Sequence, residues 1–119
     1  MLVLLGIGHD YTEKEADRLA QRTSRLRIFP DDAGRFNRSV LEVGGACLVV
    51  SQFTLMADTM KGNRPSFVDA APPEIASPLV DRYVEGLRAT GLRVETGRFG
   101  AHMLVSLEND GPVTIMLEA

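Results

Sequence analysis

The sequence is poor in the residue types that build many familiar catalytic and structural sites. Of its 119 residues, one is cysteine, two are histidine and none is tryptophan, and aromatic residues make up 6% of the chain. The lone Cys47 excludes an intramolecular disulfide, and its apolar surroundings predict a buried thiol and a reducing, cytoplasmic location. His9 and His102 lie far from each other and from Cys47, so we expect no metal site and no cofactor.

Long apolar runs and an excess of positive charge are also missing. The opening apolar stretch, residues 1–8, is too short to span a bilayer and lacks the basic region of a signal peptide, so it predicts a buried strand and no membrane contact. The 16 acidic and 13 basic residues give a net charge of -3. Because no overall positive field would attract a polyanion, any contact with nucleic acid must depend on a few local Lys and Arg side chains.

The remaining pattern predicts one α/β (α+β) domain over residues 1–119, with a mixed sheet or partial barrel and two main helices. Thr12 and Glu15 have the spacing of a capping box and predict the start of the first helix. Its inward stripe consists of Ala16, Leu19, Ala20, Thr23 and Leu26. The second helix is predicted to begin at Ser77-Pro78 and to end before Gly91.

Strands are predicted in segments rich in apolar and β-branched residues, which are 2–7, 46–50, 92–96, 103–107 and 113–117. The continuous apolar run at 46–50 is typical of a central strand covered on both faces. Pro30 to Gly34 has the composition of a turn within a loop that continues to Gly44-Gly45. Residues 58–73 are rich in Pro, Gly and charge, and they predict a long ordered loop of the kind that often serves a site.

Two polar segments stand where a plain strand would be apolar: Ser51-Gln52-Phe53-Thr54, directly after the apolar run, and residues 109–114. No Gly-x-Ser-x-Gly elbow is present, so a conventional serine triad is unsupported. An activated ester could still be hydrolysed if the N–H groups of Phe53 and Thr54 stabilised the oxyanion, with the Gln52 amide as a further donor. The residues alone leave open a second interpretation, in which Ser51 and Thr54 satisfy local backbone groups and Gly111-Pro112 is an ordinary turn.

Several segments together resemble the D-aminoacyl-tRNA deacylase family, formerly called D-tyrosyl-tRNA deacylase, over nearly the whole chain. The segments are Ser51-Gln52-Phe53-Thr54-Leu55, Ala57-Asp58-Thr59, Lys61-Gly62-x-Arg64-Pro65-Ser66-Phe67, Gly97-Arg98-Phe99-Gly100-Ala101 and Asn109-Asp110-Gly111-Pro112-Val113-Thr114. The resemblance implies hydrolysis of the ester that joins a D-amino acid, or glycine mischarged on tRNA-Ala, to the 3′-terminal adenosine of tRNA. It also implies rejection of L-aminoacyl-tRNA and a homodimer with sites at the subunit interface.

The resemblance assigns roles to site residues as well. Ser51, Gln52, Phe53 and Thr54 would line the reaction centre, with Thr54 positioning the substrate and the ribose 2′-hydroxyl of the tRNA taking part in catalysis. Gly111-Pro112, followed by Val113 and Thr114, would form a cis pair that enters the partner's pocket and occupies the space that an L side chain needs. Phe99 and Met103 are similar to residues that line the adenosine pocket, where a ring or a thioether suits a base face.

The chain departs from the family pattern at its start. Family members usually begin with a β-hairpin before the strand at 2–7, and this chain starts after it, so we expect an open sheet edge and a weaker dimer. A rival interpretation is a non-catalytic module of the same fold that binds aminoacyl-tRNA, D-amino acids or a protein partner, and a third is a general esterase. Deacylation of D-Tyr-tRNA and L-Tyr-tRNA side by side would separate the three.

Overall fold

The computed structural model describes all 119 residues as two helices packed on a small parallel sheet, with a separate antiparallel pair of strands. The elements are β1 (Leu2–Leu5), α1 (Glu13–Arg25), β2 (Phe29–Pro30), β3 (Phe36–Arg38), β4 (Ala46–Ser51), α2 (Pro73–Arg88) and β5 (Arg93–Thr96). The parallel sheet has the order β1-β4-β5, and β2 pairs with β3. The predicted fold class, an α/β chain with two main helices and mixed sheets, is confirmed.

The core lies between the helices and one face of the sheet. Strand residues Leu5, Cys47 and Val49 are buried there against one face of α2, which carries Leu79, Val80, Tyr83, Val84 and Leu87. Burial raises the pKa of the Cys47 thiol, which confirms the prediction of a buried cysteine. Burial also raises the pKa of Tyr83 to about 12, although its hydroxyl donates a hydrogen bond to Thr23 Oγ1 at 2.9 Å and thereby links the two helices.

The other face of the sheet is covered only at the carboxyl end of β4, where Val50 is 3% exposed and the Gly97–Met103 segment packs beside it. Leu4 and Leu48 point to this face and are 44% and 38% exposed. The strand order confirms that β4 is central. The predicted cover on both faces holds in part: the helices cover Cys47 and Val49, and on the opposite face Val50 is buried whereas Leu48 is exposed.

The two helix starts differ in how well the sequence predicted them. The capping box at α1 is confirmed: the Thr12 N–H donates to Glu15 Oε2 at 2.8 Å, and the hydrogen bond from the Thr12 hydroxyl holds the pKa of Glu15 below its usual range. The predicted start of α2 at Pro78 is wrong, because Pro72 and Pro73 already supply an extended N-cap and a proline at the first helical position. Pro78 lies inside the helix and has no N–H to donate. The carbonyl oxygen that loses this hydrogen bond lies in the exposed first turn, where water can reach it.

Three predictions about strands were wrong. Residues 103–107 and 113–117 pair with no other strand of this chain, since alternating side chains create a strand only where a neighbouring backbone is in reach. Leu104 is consequently 93% exposed. The short hairpin β2-β3 was predicted only as a loop, although its turn at Asp31 is the expected one, with Oδ1 accepting from the N–H groups of Ala33 and Arg35.

No helix has the length and apolar character needed to cross a bilayer.

Candidate active site

The polar tetrad lies at the carboxyl end of the central strand, as the sequence predicted. Ser51 is the last residue of β4 and pairs in register with Leu5, the last residue of β1. The Gln52 N–H then donates to the Leu5 carbonyl oxygen at 2.8 Å, and the chain turns into a short 3-10 helix at Phe53–Met56. The ends of two neighbouring parallel strands therefore fix where this turn begins.

Two adjacent backbone donors at the start of this turn have no partner. The first hydrogen bonds of the turn run from Leu55 N to the Gln52 oxygen and from Ala57 N to the Thr54 oxygen, both at 3.2 Å. The N–H groups of Phe53 and Thr54 donate to no atom of the chain, as expected for the first residues of a helix. Both residues are exposed, so the two donors are available to a carbonyl oxygen or an oxyanion.

The side chains of the tetrad interact with each other and not with a base. Gln52 Nε2 donates to Thr54 Oγ1, which fixes the carboxamide over the turn and leaves the Thr54 hydroxyl proton free to donate. No histidine hydrogen-bonds to Ser51 or Thr54, since His9 interacts with Asp69 and Asp10, and His102 is exposed. The arrangement lacks a nucleophile paired with a base and offers fixed hydrogen-bond donors instead.

A glycine on β1's side of the site allows the turn to pack closely. A Cβ at Gly6 would lie 2.9 Å from Met56 Cε, 3.0 Å from Leu55 Cβ and 3.1 Å from the Gln52 carbonyl oxygen, all closer than ordinary contact. Only glycine therefore fits there without moving the turn. This role of Gly6 was not predicted from the sequence, because the contact joins segments about 50 residues apart.

The loop at 58–73 is ordered, as predicted, and one end of it packs beside the tetrad. Asp58 and Ser66 exchange two backbone hydrogen bonds of 2.8 and 2.9 Å, which close the loop. The Phe67 ring then meets the Phe53 ring edge-on, with 5.0 Å between centroids. Lys61 and Arg64 lie between Asp58 and Ser66 in this loop, and both are exposed.

The segment with Phe99 and Met103 also reaches this edge of the sheet. The Gly97 N–H donates to the Val49 carbonyl oxygen at 2.9 Å, and Met103 Sδ accepts from the Arg98 N–H at 3.4 Å. A Cβ at Gly97 would lie 2.8 Å from Met103 Sδ and 3.5 Å from Val50, so the thioether packs next to the end of β4. Phe99, in the same turn, is 36% exposed.

The second polar segment, residues 109–114, forms a separate exposed loop. Asn109 closes it: its Oδ1 accepts from the Val113 N–H at 3.0 Å and its Nδ2 donates to Thr114 Oγ1 at 3.2 Å. The Gly111-Pro112 peptide bond is cis, as the family resemblance implies. No hydrogen bond joins this loop to residues 51–54 of the same chain.

The His, Cys, Asp and Glu side chains form no group of three or more that could hold a metal ion. The shifted carboxylates lie away from the tetrad; the pKa of Asp31, for example, is held down by hydrogen bonds from backbone N–H groups of its own turn, that of Arg35 first. The chemical capacity of the site therefore resides in backbone donors, one carboxamide and two hydroxyl groups.

Comparison with known proteins adds an independent set of findings. A family model described as D-Tyr-tRNA(Tyr) deacylase matches residues 1–118. The chain is 63% identical to a D-aminoacyl-tRNA deacylase of Roseiflexus sp. (strain RS-1), over 100% of this chain and 77% of the relative. It is 59% identical to that of Thermomicrobium roseum, again over 100% of this chain and 77% of the relative.

Two solved structures have the same fold. One, titled c-Myc DNA Unwinding Element Binding Protein, superimposes with a TM-score of 0.91 at 42% identity, covering 99% of this chain and 80% of the other. The second, titled as a probable eukaryotic D-amino acid tRNA deacylase, gives a TM-score of 0.71 at 18% identity over 85% of this chain and 75% of the other. At that identity the second match supports the fold alone.

Proposed function

The chain belongs to the D-aminoacyl-tRNA deacylase family, and we propose that it hydrolyses the ester of D-aminoacyl-tRNA at the turn that follows β4. The observation that carries this proposal is the pair of unpartnered N–H groups of Phe53 and Thr54 at the carboxyl edge of the sheet. Fixed donors of this kind stabilise the charge that develops on a carbonyl oxygen when an acyl group is attacked.

The reaction needs little beyond such donors, because an aminoacyl ester is already activated. Water adds to the ester carbonyl carbon, and the resulting oxyanion accepts hydrogen bonds from the Phe53 and Thr54 N–H groups. The bond from the carbonyl carbon to the ribose oxygen then breaks, and the ribose oxygen takes up the proton that the attacking water gives up, which leaves the free D-amino acid and the tRNA hydroxyl. The Gln52 carboxamide and the Thr54 hydroxyl position the aminoacyl group, and the 2′-hydroxyl of the terminal adenosine is the substrate's own contribution.

Phe99 and Met103 supply the contact for the terminal adenosine in this proposal. Met103 packs beside the end of β4, and Phe99 presents a partly exposed ring in the same turn. An aromatic ring and a polarisable thioether both suit the face of a base, whatever its hydrogen-bonding edge. Because aminoacyl-tRNA is made and used in translation, the proposed location is the cytoplasm.

Chiral selection is assigned to the loop at 109–114 of a partner subunit in a homodimer. Gly111 and Pro112 are exposed, and Asn109 holds their loop in shape without help from residues 51–54 of the same chain. Their carbonyl oxygens would occupy the space that an L side chain requires, with Val113 and Thr114 supporting the loop. Glycine has no side chain to exclude, so glycyl-tRNA mischarged on tRNA-Ala would also be a substrate.

Mixing inactive variants tests this composite site. Gln52→Ala damages one half of the site, and Gly111→Ala damages the other, because its Cβ would lie 2.9 Å from the Val113 nitrogen at a φ of +152°. After subunit exchange of an equal mixture, half of the dimers carry one intact site of two, so about a quarter of wild-type activity is expected. A mixture of Gln52→Ala with Thr54→Ala, both in the same half, should show no activity beyond the mean of the two variants measured separately. Equal activity of the two mixtures, with heterodimers demonstrated, would contradict the composite site.

The alternative function, a non-catalytic module that binds aminoacyl-tRNA or D-amino acids, predicts binding without turnover. Retention of D-Tyr-tRNA on a filter with its ester intact would support the module. Release of free D-tyrosine at a rate proportional to protein concentration would support the deacylase.

A further inference from the structure

Four arginine side chains line one groove at the C-terminal end of α1. They are Arg18, Arg22 and Arg25 of the helix and Arg27 just beyond it, and the groove also includes Gln21, Leu26 and Leu117. It encloses a cavity of about 330 Å³. We call this surface the arginine groove.

No carboxylate forms an ion pair with any of these four arginines. The arginines that do form ion pairs are elsewhere in the chain, at positions 38, 82, 88 and 93. Arg22 donates to the Glu118 carbonyl oxygen, and Arg27 donates to the carbonyl oxygen of Asn37 at 2.8 Å. Arg18 and Arg25 make no hydrogen bond, so their guanidinium donors are free in a protein whose net charge is -3.

The spacing of these arginines makes their clustering unfavourable for the helix itself. Arg18, Arg22 and Arg25 are separated by four and three residues and therefore share one face of α1. Like charges at this spacing destabilise a helix by about 0.2–0.5 kcal/mol per pair. The helix dipole favours Arg22 and Arg25 in the last turn, but it gives no reason for Arg18 in the middle of the helix. A multivalent anion in the groove would supply the missing compensation.

We propose that the arginine groove binds the phosphate backbone of the tRNA substrate, an inference that rests on the function proposed above. Guanidinium groups bind phosphate oxygens in a two-pronged geometry, which suits successive phosphates along a strand.

The topology places the groove at a fitting distance from the active site. β1 ends at the site edge of the sheet, and α1 runs back from there for 13 residues, which at 1.5 Å per residue is about 20 Å. Stacked nucleotides advance ~3.4 Å each along a strand, so a span of about 20 Å corresponds to roughly six nucleotides, of which those next to the terminal adenosine of tRNA are unpaired. A tRNA whose ester lies at Phe53 and Thr54, with its terminal adenosine at Phe99 and Met103, would thus carry the start of its acceptor stem past the groove.

The test compares a groove variant with a control that loses the same charge elsewhere. Arg18→Gln with Arg25→Gln removes the two arginines without hydrogen bonds, and Arg35→Gln with Arg93→Gln removes two exposed arginines outside the groove. With D-Tyr-tRNA, the groove variant should raise KM about tenfold at unchanged kcat and reduce the salt dependence of log(kcat/KM) by about two units of slope. With D-tyrosyl-adenosine, which lacks the phosphate backbone, it should match wild type.

Charge-preserving and binding measurements decide the remaining outcomes. Arg18→Lys with Arg25→Lys should restore most of the affinity for tRNA, whereas a loss equal to that of the Gln variant would overturn the phosphate assignment. A groove variant that behaves like the control on D-Tyr-tRNA, or that is equally impaired on D-tyrosyl-adenosine, also overturns it. If the wild-type protein hydrolyses neither substrate, the proposed function fails. The groove is then tested by filter retention of uncharged tRNA, where weaker retention by the groove variant supports the proposal and equal retention contradicts it.

Discussion

The Gln52 N–H donates to the Leu5 carbonyl oxygen at 2.8 Å, directly after the last in-register pair of β1 and β4. This bond ties the first residue of the active-site turn to the end of the neighbouring strand. The position of the Phe53 and Thr54 N–H groups therefore depends on the end of β1 as well as on β4. Perturbing β1 at this point should affect catalysis more than stability.

Gly6→Ala should impair catalysis through the position of the turn. Its new Cβ would lie within 3.1 Å of the Gln52 oxygen and closer still to Met56 Cε, so the turn must move. A displacement of this size is expected to lower kcat about 10²-fold for D-aminoacyl-tRNA. Gly8→Ala is the matched control, because its Cβ would approach no atom closer than 3.7 Å, and it should keep nearly wild-type kcat. Equal kcat for the two variants would contradict the role of Gly6.

Thr54→Ala and Ser51→Ala should each retain measurable activity. In the proposed mechanism the main stabilising donors are backbone N–H groups that neither substitution removes, so we expect kcat to fall by less than about 100-fold. Removing a true covalent nucleophile lowers kcat by about 10⁶. Rapid quenching followed by mass spectrometry of wild-type protein checks the same point, because an acyl group found on either hydroxyl would refute the mechanism.

Because of the ion pair between Asp17 of α1 and Arg82 of α2, the stability of the protein should decrease at acid pH. Arg82 donates to the Asp17 carboxylate at 2.7 and 2.8 Å, and these hydrogen bonds hold the pKa of Asp17 below its ordinary value of 3.8. A lowered pKa gives stability that is present above pH 3.8 and is lost as the pH falls through the folded-state value. Wild type should therefore have a higher Tm than Asp17→Asn at pH 7. This difference in Tm should shrink as the pH falls below 3.8.

Asp81→Asn provides the control for this comparison, since Asp81 is an exposed residue of α2 without an ion pair. Its Tm difference from wild type should be small at every pH. A Tm difference for Asp17→Asn that is the same at pH 7 and pH 3 would show that the Asp17 carboxylate is not stabilised by Arg82.

The sequence predicted best those elements whose signals are local. The capping box of α1 lies within four residues, and the apolar run of β4 is continuous, so both were placed correctly. The start of α2 was misplaced because the chain offers two helix-start signals, Pro72-Pro73 and Ser77-Pro78, and only packing decides which one begins the helix. The strands predicted at 103–107 and 113–117 depend on a partner backbone, about which a side-chain pattern contains no information.

The site shows the same division between local and distant information. The position of the tetrad at a strand's carboxyl end could be predicted, because strand and tetrad are contiguous in sequence. The free N–H groups could be anticipated only as a possibility, since their lack of partners depends on the 3-10 turn. The close contact of Gly6 with the turn depends on tertiary packing, and no local pattern indicates it. The spacing of Arg18, Arg22 and Arg25 places them on one face of α1, but the groove that they form with Leu117 depends on tertiary packing.

The measurement that tests the central claim most directly is hydrolysis of D-Tyr-tRNA and L-Tyr-tRNA, assayed side by side with the same protein preparation. The account predicts release of D-tyrosine at a rate proportional to protein concentration, with L-Tyr-tRNA decaying no faster than it does without protein. Comparable turnover of both substrates would indicate an unselective esterase and contradict the role given to Gly111 and Pro112. Turnover of neither would contradict the assignment of the Phe53 and Thr54 N–H groups as the catalytic donors.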